Sequence, residues 1–409
     1  MKKRNQVMDQ KLSFIAFLLC TGLLISCSIK TEVTDESAEE VPSEVLTPAF
    51  VASPQPIKEQ EVQTLTLGSP APDFNLPGVD GKYHSLSDYD SARVLVIIFT
   101  CNHCPTAQAY EDRMIALTND YRDAGVQVVA ISPNSPIGLL FDELGYSDLG
   151  DTYEEMIIRA QNKNFNFPYL YDGDTHEASL KYGPVATPHA FVFDSDRKLR
   201  YVGRLDASEK PGTANAEDLR NAIDAVLNGS EMPLTSTKTF GCSVKWAWKD
   251  KYKKEVYAAW DAAPVTLEEI TTGGITELLK NDSKKLLLVN LWATWCGPCI
   301  IEYPDFVEIH RMYDDRDFEF ISISADNLEA KEKAHEFLQK SHSALRNFIY
   351  SEGDKYALIE AVDPEWNGSL PYTMLIEPGG KVIYRIQGSM DPQEVKRMIV
   401  EHPMIGRYY

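Results

Sequence analysis

Apolar residues fall in a recurring order along the chain. "ARVLVIIF" (92–99) is an unbroken β-branched run of the kind that fills a strand covered on both faces. Ala107, Tyr110, Met114, Leu117 and Tyr121 then recur at helical spacing, and Gly125 ends that stripe. "VQVVAIS" (126–132) is a second strand. "TPHAFVFDSDRKLRYVGR" (187–204) predicts two strands joined by a polar turn, and "NAEDLRNAIDAVLNG" (215–229) a closing helix with a Gly stop. The order then repeats. "KKLLLVNLW" (284–292) predicts a strand; Phe306, Ile309 and Tyr313 lie on one helical face; "FEFISIS" (318–324) predicts the next strand. "LPYTMLIEPGGKVIYRIQG" (370–388) predicts a hairpin turned at Gly379–Gly380, and "DPQEVKRMIVEH" (391–402) a closing helix. Strand, helix, strand is a β-α-β unit, and its recurrence marks an internal repeat. The expected fold is α/β, with tandem domains at 65–234 and 264–409 and a connector at 235–263. The lysines and aromatics of the connector are expected to pack on a domain.

A Cys-x-x-Cys pair sits at the strand-to-helix junction of each repeat: "FTCNHCP" (99–105) and "CGPC" (296–299). The first alone is compatible with half a metal site, a redox pair or a peroxide-reacting thiol. Structural zinc needs four ligands brought together. Here each pair has its own strand, helix and proline-opened hairpin, which argues against a shared metal. The redox chemistry uses the junction directly. A cysteine at a helix N-terminus faces unpaired N–H groups and the positive end of the helix dipole, both of which favour thiolate. A second cysteine one turn on can displace the mixed disulfide formed by the first. The spacing therefore predicts that Cys101 and Cys296 attack and that Cys104 and Cys299 resolve. His103, between the first two, would stabilise thiolate and make that pair the more oxidising; Gly-Pro gives the second no such help. Cys242 is open to two readings, a resolving thiol for the first centre or a buried small apolar residue.

Charge and the N-terminus place these centres. The 409 residues carry 40 Lys and Arg against 61 Asp and Glu, a formal charge of −21, which argues against a nucleic-acid partner. Lys2, Lys3, Arg4 and Lys11 precede the short apolar run Leu12–Leu24, the pattern of a secretory signal. Its end, Leu24-Ile25-Ser26-Cys27, resembles a bacterial lipobox, which implies removal of 1–26 and lipid attachment at Cys27. Residues 27–64 are acidic and polar and are expected to form a flexible tether. The protein is then expected in the bacterial envelope, facing the periplasm from the inner or outer membrane, where thiols can be oxidised.

"VNLWATWCGPCIIEYP" (289–304) is similar to the thioredoxin superfamily, and to its TlpA-like membrane-anchored thiol–disulfide oxidoreductases in particular. Over about 264–409 this resemblance implies a cis-proline at Pro371 facing the cysteines. It also implies that Asn290 replaces the buried Asp of cytoplasmic thioredoxins, that Trp295 shields the sulfurs, and that Glu302 is a proton acceptor near Cys299. Glu302 can equally be read as an exposed helix acid. Over about 65–234, "GSPAPDFNLPGVDGKYHSLSDY", "TCNHCP" and "GPVATPHAFVFD" resemble the peroxiredoxin-related AhpC/TSA-like branch, which implies a matching cis-proline at Pro188. True peroxidases of that branch carry Pro seven and Thr three residues before the attacking cysteine. Val94 and Ile98 stand there before Cys101, and Ile97 and Cys101 before Cys104. Counting from the cysteines, Ala107 stands where the second domain has Glu302.

Two tandem thioredoxin-like domains exchanging disulfides with protein thiol substrates is the expected function, with an upstream membrane dithiol donor and redox-active disulfides in place of any cofactor or metal. A thiol peroxidase activity in the first domain, or a non-catalytic scaffold, are the alternatives. Domain 2 passing electrons to domain 1 is one way two such centres could work together.

Overall fold

The run Val94–Phe99 is buried at every position because its two faces meet different layers. In the computed structural model, which describes residues 50–407, Val94, Val96 and Ile98 face one apolar cluster while Leu95, Ile97 and Phe99 face another. The expected signal segment 1–26, the lipidation site Cys27 and the tether as far as residue 49 lie outside the described residues.

The first domain runs β1 (Asn75–Pro77), β2 (Tyr83–Ser85), β3 (Val94–Phe99), α1 (Pro105–Tyr121), β4 (Val126–Ser132), α2 (Tyr153–Lys163), β5 (Tyr169–Tyr171), α3 (Glu177–Tyr182), β6 (His189–Phe193), β7 (Leu199–Gly203) and α4 (Glu217–Asn228). After α5 (Asp250–Asp261) in the connector, the second runs β8 (Glu268–Ile270), α6 (Thr272–Leu279), β9 (Leu286–Trp292), α7 (Gly297–Tyr313), β10 (Phe318–Ser324), α8 (Lys331–Lys340), β11 (Arg346–Tyr350), α9 (Lys355–Val362), β12 (Tyr372–Glu377), β13 (Lys381–Gln387) and α10 (Pro392–Glu401).

The sheets have the orders β5-β4-β3-β6-β7 and β13-β12-β9-β10-β11-β8. In each, the central strand pairs in parallel with the strand after its helix and antiparallel with the hairpin strand: β3 with β4 and β6, β9 with β10 and β12. The two halves are one architecture used twice, with β8 added to the second sheet.

Residues 50–64, expected as tether, lie against the first domain. Phe50 stacks edge-on to Tyr153 at 5.0 Å, the Ser53 N–H donates to Asp174 at 2.7 Å, and the Thr64 hydroxyl donates to the Gly183 carbonyl at 2.8 Å. Phe50 and Ala52 supply the apolar contact in this sparsely apolar stretch. The connector packs as expected: Trp246 and Ala247 are buried and Trp246 stacks on Trp248.

The two halves meet through the long loop 133–152 between β4 and α2. Leu139 and Leu144 enter the apolar cluster of Leu286, Phe306, Ile309 and Tyr313. The Tyr313 hydroxyl donates to the Ser147 carbonyl at 2.8 Å, and Asp148, 2% exposed, accepts from Arg407 at 2.6 Å and Arg397 at 3.4 Å. Among the described residues no helix is long and apolar enough to cross a membrane.

Candidate active sites

Strand register fixes which residues of the two centres correspond. In the antiparallel pairs, Phe99 faces His189 and Leu291 faces Tyr372, so Pro188 and Pro371 fall one step beyond each sheet edge. The Thr187–Pro188 and Leu370–Pro371 peptide bonds are both cis. The helices that follow, α1 and α7, are 17 residues each, and their N-caps are Cys104 and Cys296. Cys104 therefore occupies the place of Cys296, and Ala107 that of Cys299.

This corrects the expectation that Cys101 opens the first helix. Pro105 follows Cys104 directly; a proline disfavours helical backbone in the residue before it and suits the first helical position. Cys104 is accordingly extended (φ −70°, ψ 121°), and Cys101 lies on the loop before it. The counterpart of Glu302 is likewise Tyr110, not Ala107, since both stand six places after their N-cap.

In the second centre Cys296 and Cys299 form a disulfide, S–S 2.00 Å, and the Cys299 N–H donates to the Cys296 sulfur at 3.3 Å. Thr294 donates from its N–H and hydroxyl to Asp326 at 2.8 and 2.9 Å, holding the turn between β9 and α7. Asn290 is buried and donates to the Thr373 hydroxyl at 3.0 Å. Glu302 is 5% exposed, which removes the reading of an exposed helix acid. Oε2 accepts from the Met390 N–H at 3.1 Å, Oε1 has no hydrogen-bond partner, and burial pushes the carboxyl up to about 7. Trp295, 63% exposed, lines an open groove of about 330 Å³ with Tyr356, Trp366 and Leu370, the residue before Pro371.

In the first centre three free thiols converge. Cys101 and Cys104 are buried, and Cys242 from the connector packs against them. The Cys242 N–H donates to the Cys104 sulfur at 3.4 Å; the Cys101 sulfur is 3.1 Å from the Thr187 hydroxyl. Burial alone would raise the Cys104 thiol. Hydrogen bonds from Cys101 and Cys242, the His103 charge and the Ala107 N–H outweigh it and hold Cys104 well below the ordinary thiol range. Cys101 is pushed up, by burial first and then by the bond it donates to Cys104. Cys242 is pushed up by its own bond to Cys104 and by burial. The Cys104 sulfur thus accepts from the Cys242 N–H and, when protonated, donates to the Thr187 carbonyl at 3.3 Å.

Sequence reasoning did not find the partner of His103. Its Nδ1 lies 2.5 Å from Asp151, which also accepts from the Asn102 N–H at 2.8 Å and the Asn134 amide at 2.7 Å. Burial would lower the imidazole pKa, but Asp151 reverses that and raises it above its ordinary value; the same pair keeps Asp151 low against its own burial. Asp326 and Asn134 each stand two residues past the end of their strand, β10 and β4. The first centre therefore has an amide where the second has the acid, and Asp151 arrives instead from the long loop. No local pattern in "DLGDT" announces that role. Cys101, His103 and Asp151 bring donor atoms within 4.8 Å of one another, all buried, but the His103–Asp151 hydrogen bond already occupies Nδ1. The two Cys-x-x-Cys pairs sit in separate domains, so they supply no joint four-cysteine site.

Two sheets of this order, each with a cysteine capping the helix after its central strand and a cis-proline at the sheet edge, define a redox-protein class. The AhpC/TSA family matches residues 67–202 and the Redoxin family residues 258–399. The thiol-disulfide oxidoreductase ResA of Bacillus subtilis is 31% identical over 137 residues, covering 34% of this chain and 72% of that protein. ResA of Bacillus thuringiensis (strain Al Hakam) is 28% identical over 125 residues, and the thiol:disulfide interchange protein HelX of Rhodobacter capsulatus 26% over 117. The chain spans 64% of the length of the Bacillus thuringiensis protein and 59% of HelX, and these matches cover 29% and 28% of the chain. The solved structure of an uncharacterized conserved protein from Geobacillus kaustophilus is 36% identical, covers 46% of this chain and 95% of its own, and superposes with a TM-score of 0.40. The chain belongs to the thioredoxin superfamily, with an AhpC/TSA domain followed by a redoxin domain.

Proposed function

We propose that the protein is an envelope thiol–disulfide oxidoreductase that reduces disulfides in protein substrates. The observation that carries this reading is the Cys296–Cys299 pair at the N-terminus of α7, beside the open apolar groove of Trp295, Tyr356, Trp366 and Leu370. In the reduced form the Cys296 thiolate, stabilised by the Cys299 N–H and the helix terminus, attacks a client disulfide; Cys299 then attacks Cys296 and releases the reduced client. Glu302 accepts the Cys299 proton, and its raised pKa suits that task near neutral pH. The groove gives an extended client segment an apolar surface along Leu370.

At the first centre Cys104, rather than Cys101, is the attacking thiolate in this reading. Its position on the helix N-terminus and its hydrogen bonds support the assignment. The lipobox-like Leu24–Cys27 supports a membrane anchor through Cys27, and an anchored reductase needs a membrane dithiol donor upstream. The His103 charge at the first centre, against Gly-Pro at the second, supports electron flow from domain 2 to domain 1.

The test is the reduction potential of each centre, read in glutathione buffers by mass-tagged thiols. Cys296–Cys299 is expected near the thioredoxin value of about −270 mV, with the first centre well above it. A value for Cys296–Cys299 near about −120 mV, the strong-oxidant range, would reverse the direction. Cys296→Ser is expected to lower turnover of a protein disulfide at least 100-fold.

A further inference from the structure

On the basis of that thiol–disulfide reading, we infer that connector residues 240–244 act as a built-in client strand for the first centre, with Cys242 as the redox partner of Cys104. Thr187, the residue before Pro188, forms an antiparallel bridge with Cys242, and its N–H donates to the Cys242 carbonyl at 2.9 Å. This single bridge has the backbone pairing by which folded domains hold extended peptides, made here within one chain. The same residue's N–H donates to the Cys104 sulfur at 3.4 Å, so its backbone engages both Thr187 and Cys104. Its side chain, partly buried, packs against the buried cluster of Cys101 and Cys104.

The approach depends on a glycine. Gly241 has φ +136°, and a Cβ there would lie 2.1 Å from the Thr187 carbonyl oxygen. No other residue fits that backbone and that distance. Beyond Cys242 the segment is locked down: the Lys245 N–H donates to Asn134 at 2.8 Å, its carbonyl accepts from Ser135 at 2.7 Å, and the Ala247 N–H donates to His176 at 3.0 Å.

Covering has a consequence for substrate class. The cysteines of both centres are buried, but only at the first does the chain's own segment occupy the edge at Thr187, so an extended protein client finds no free backbone to pair with there while that segment is in place. The second centre has exposed Trp295 and an open groove at the matching edge. The first centre therefore takes low-molecular-weight disulfides. The Cys104 thiolate attacks R–S–S–R, the S–S bond breaks, and one RS⁻ leaves, giving a Cys104–S–S–R mixed disulfide. Cys242 loses its proton and attacks the Cys104 sulfur, expelling the second RS⁻. The sum is one small disulfide reduced to two thiols while two cysteine thiols become the Cys104–Cys242 disulfide. Cys101 can then exchange into that bond and regenerate the Cys242 thiol.

The experiment uses the full chain, reduced and then exposed to graded glutathione disulfide, alkylated, and mapped by peptide mass spectrometry. The Cys104–Cys242 crosslink is expected first, and Cys242→Ser should raise the Cys104–glutathione adduct at least tenfold. A Cys101–Cys104 crosslink with Cys242 alkylatable throughout would overturn the inference. Gly241→Val lifts the strand and should speed labelling of Cys104 by a bulky maleimide at least tenfold; an unchanged rate counts against the covering role. Cys296–Cys299 exchange with a protein disulfide is followed in the same samples. If it persists while no Cys104–Cys242 bond forms, only this inference fails; if it too is lost, the general function fails.

Discussion

At the scale of single residues, two buried acids carry the electrostatics, in opposite ways. Asp151 has a cation beside it and stays charged; Glu302 has none and is held partly protonated. Removing the Asp151 charge should lower the His103 pKa and deprive Cys104 of a neighbouring cation. Asp151→Asn is therefore expected to move the Cys104 thiolate titration, followed by ultraviolet thiolate absorbance, upward by about one unit or more. Glu302 is raised from its ordinary 4.5 to about 7 in the folded chain. The folded state thus holds that proton more tightly than the unfolded one. Its stabilising contribution is complete below the unfolded value and is lost as pH rises through about 7. Glu302→Gln should accordingly be more stable than the parent at about pH 8, by roughly 2 kcal/mol, and little different near pH 4 in urea melts. The same variant should remove an inflection near neutral pH from the release step at Cys299.

At the scale of elements, the sequence shows why one part of the repeat is legible and another is not. The central strands are apolar runs, broken only by Asn290 in β9, and "FEFISIS" coincides with β10 (Phe318–Ser324) because both its faces are covered. The closing helix α4 ends at its Gly stop, Gly229, and the hairpin turns at Gly379 and Gly380 with φ of 85° and 79°. The phase of α1 against α7 needed more than the cysteine spacing. Aligning Cys101 with Cys296 is the natural choice by motif, yet it shifts the helix by one turn. The discriminating signal was Pro105, which fixes the start of α1 and hence the cap. Serine is itself a good cap, so Cys104→Ser should leave α1 intact while abolishing reaction of the first centre with small disulfides. Cys101→Ser should keep the first attack and its resolution by Cys242 and block only the later exchange into the Cys104–Cys242 bond, as stopped-flow thiol consumption would separate. The Asp151 pairing was not legible, because it joins residues 48 apart through a loop with no period of its own.

At the scale of the whole molecule, that loop does two jobs. Residues 133–152 deliver Asp151 to His103 at one end and seat Leu139, Leu144 and Asp148 in the second domain at the other. Asp148 is almost fully buried, and it accepts from Arg407 and Arg397 while both cations keep some exposure. Breaking a pair of this kind from the buried side leaves the partners without a counter-charge; Asp148→Ala should cost about 2–4 kcal/mol in global stability. Calorimetry should then show the two domains beginning to melt separately.

The seated loop also bears on how the repeat can be divided. A duplicated domain ordinarily yields two halves that stand alone, each a miniature of the whole. Here the loop of one domain packs Leu139 and Leu144 into the core of the other beside Phe306 and Tyr313. Neither half is any longer a complete object. The segment 264–409 made by itself would show water an apolar socket, and 48–263 would show it the matching peg, so each should self-associate until mixed with the other. The repeat is thus held together by complementary surfaces, and the unit that folds is the pair.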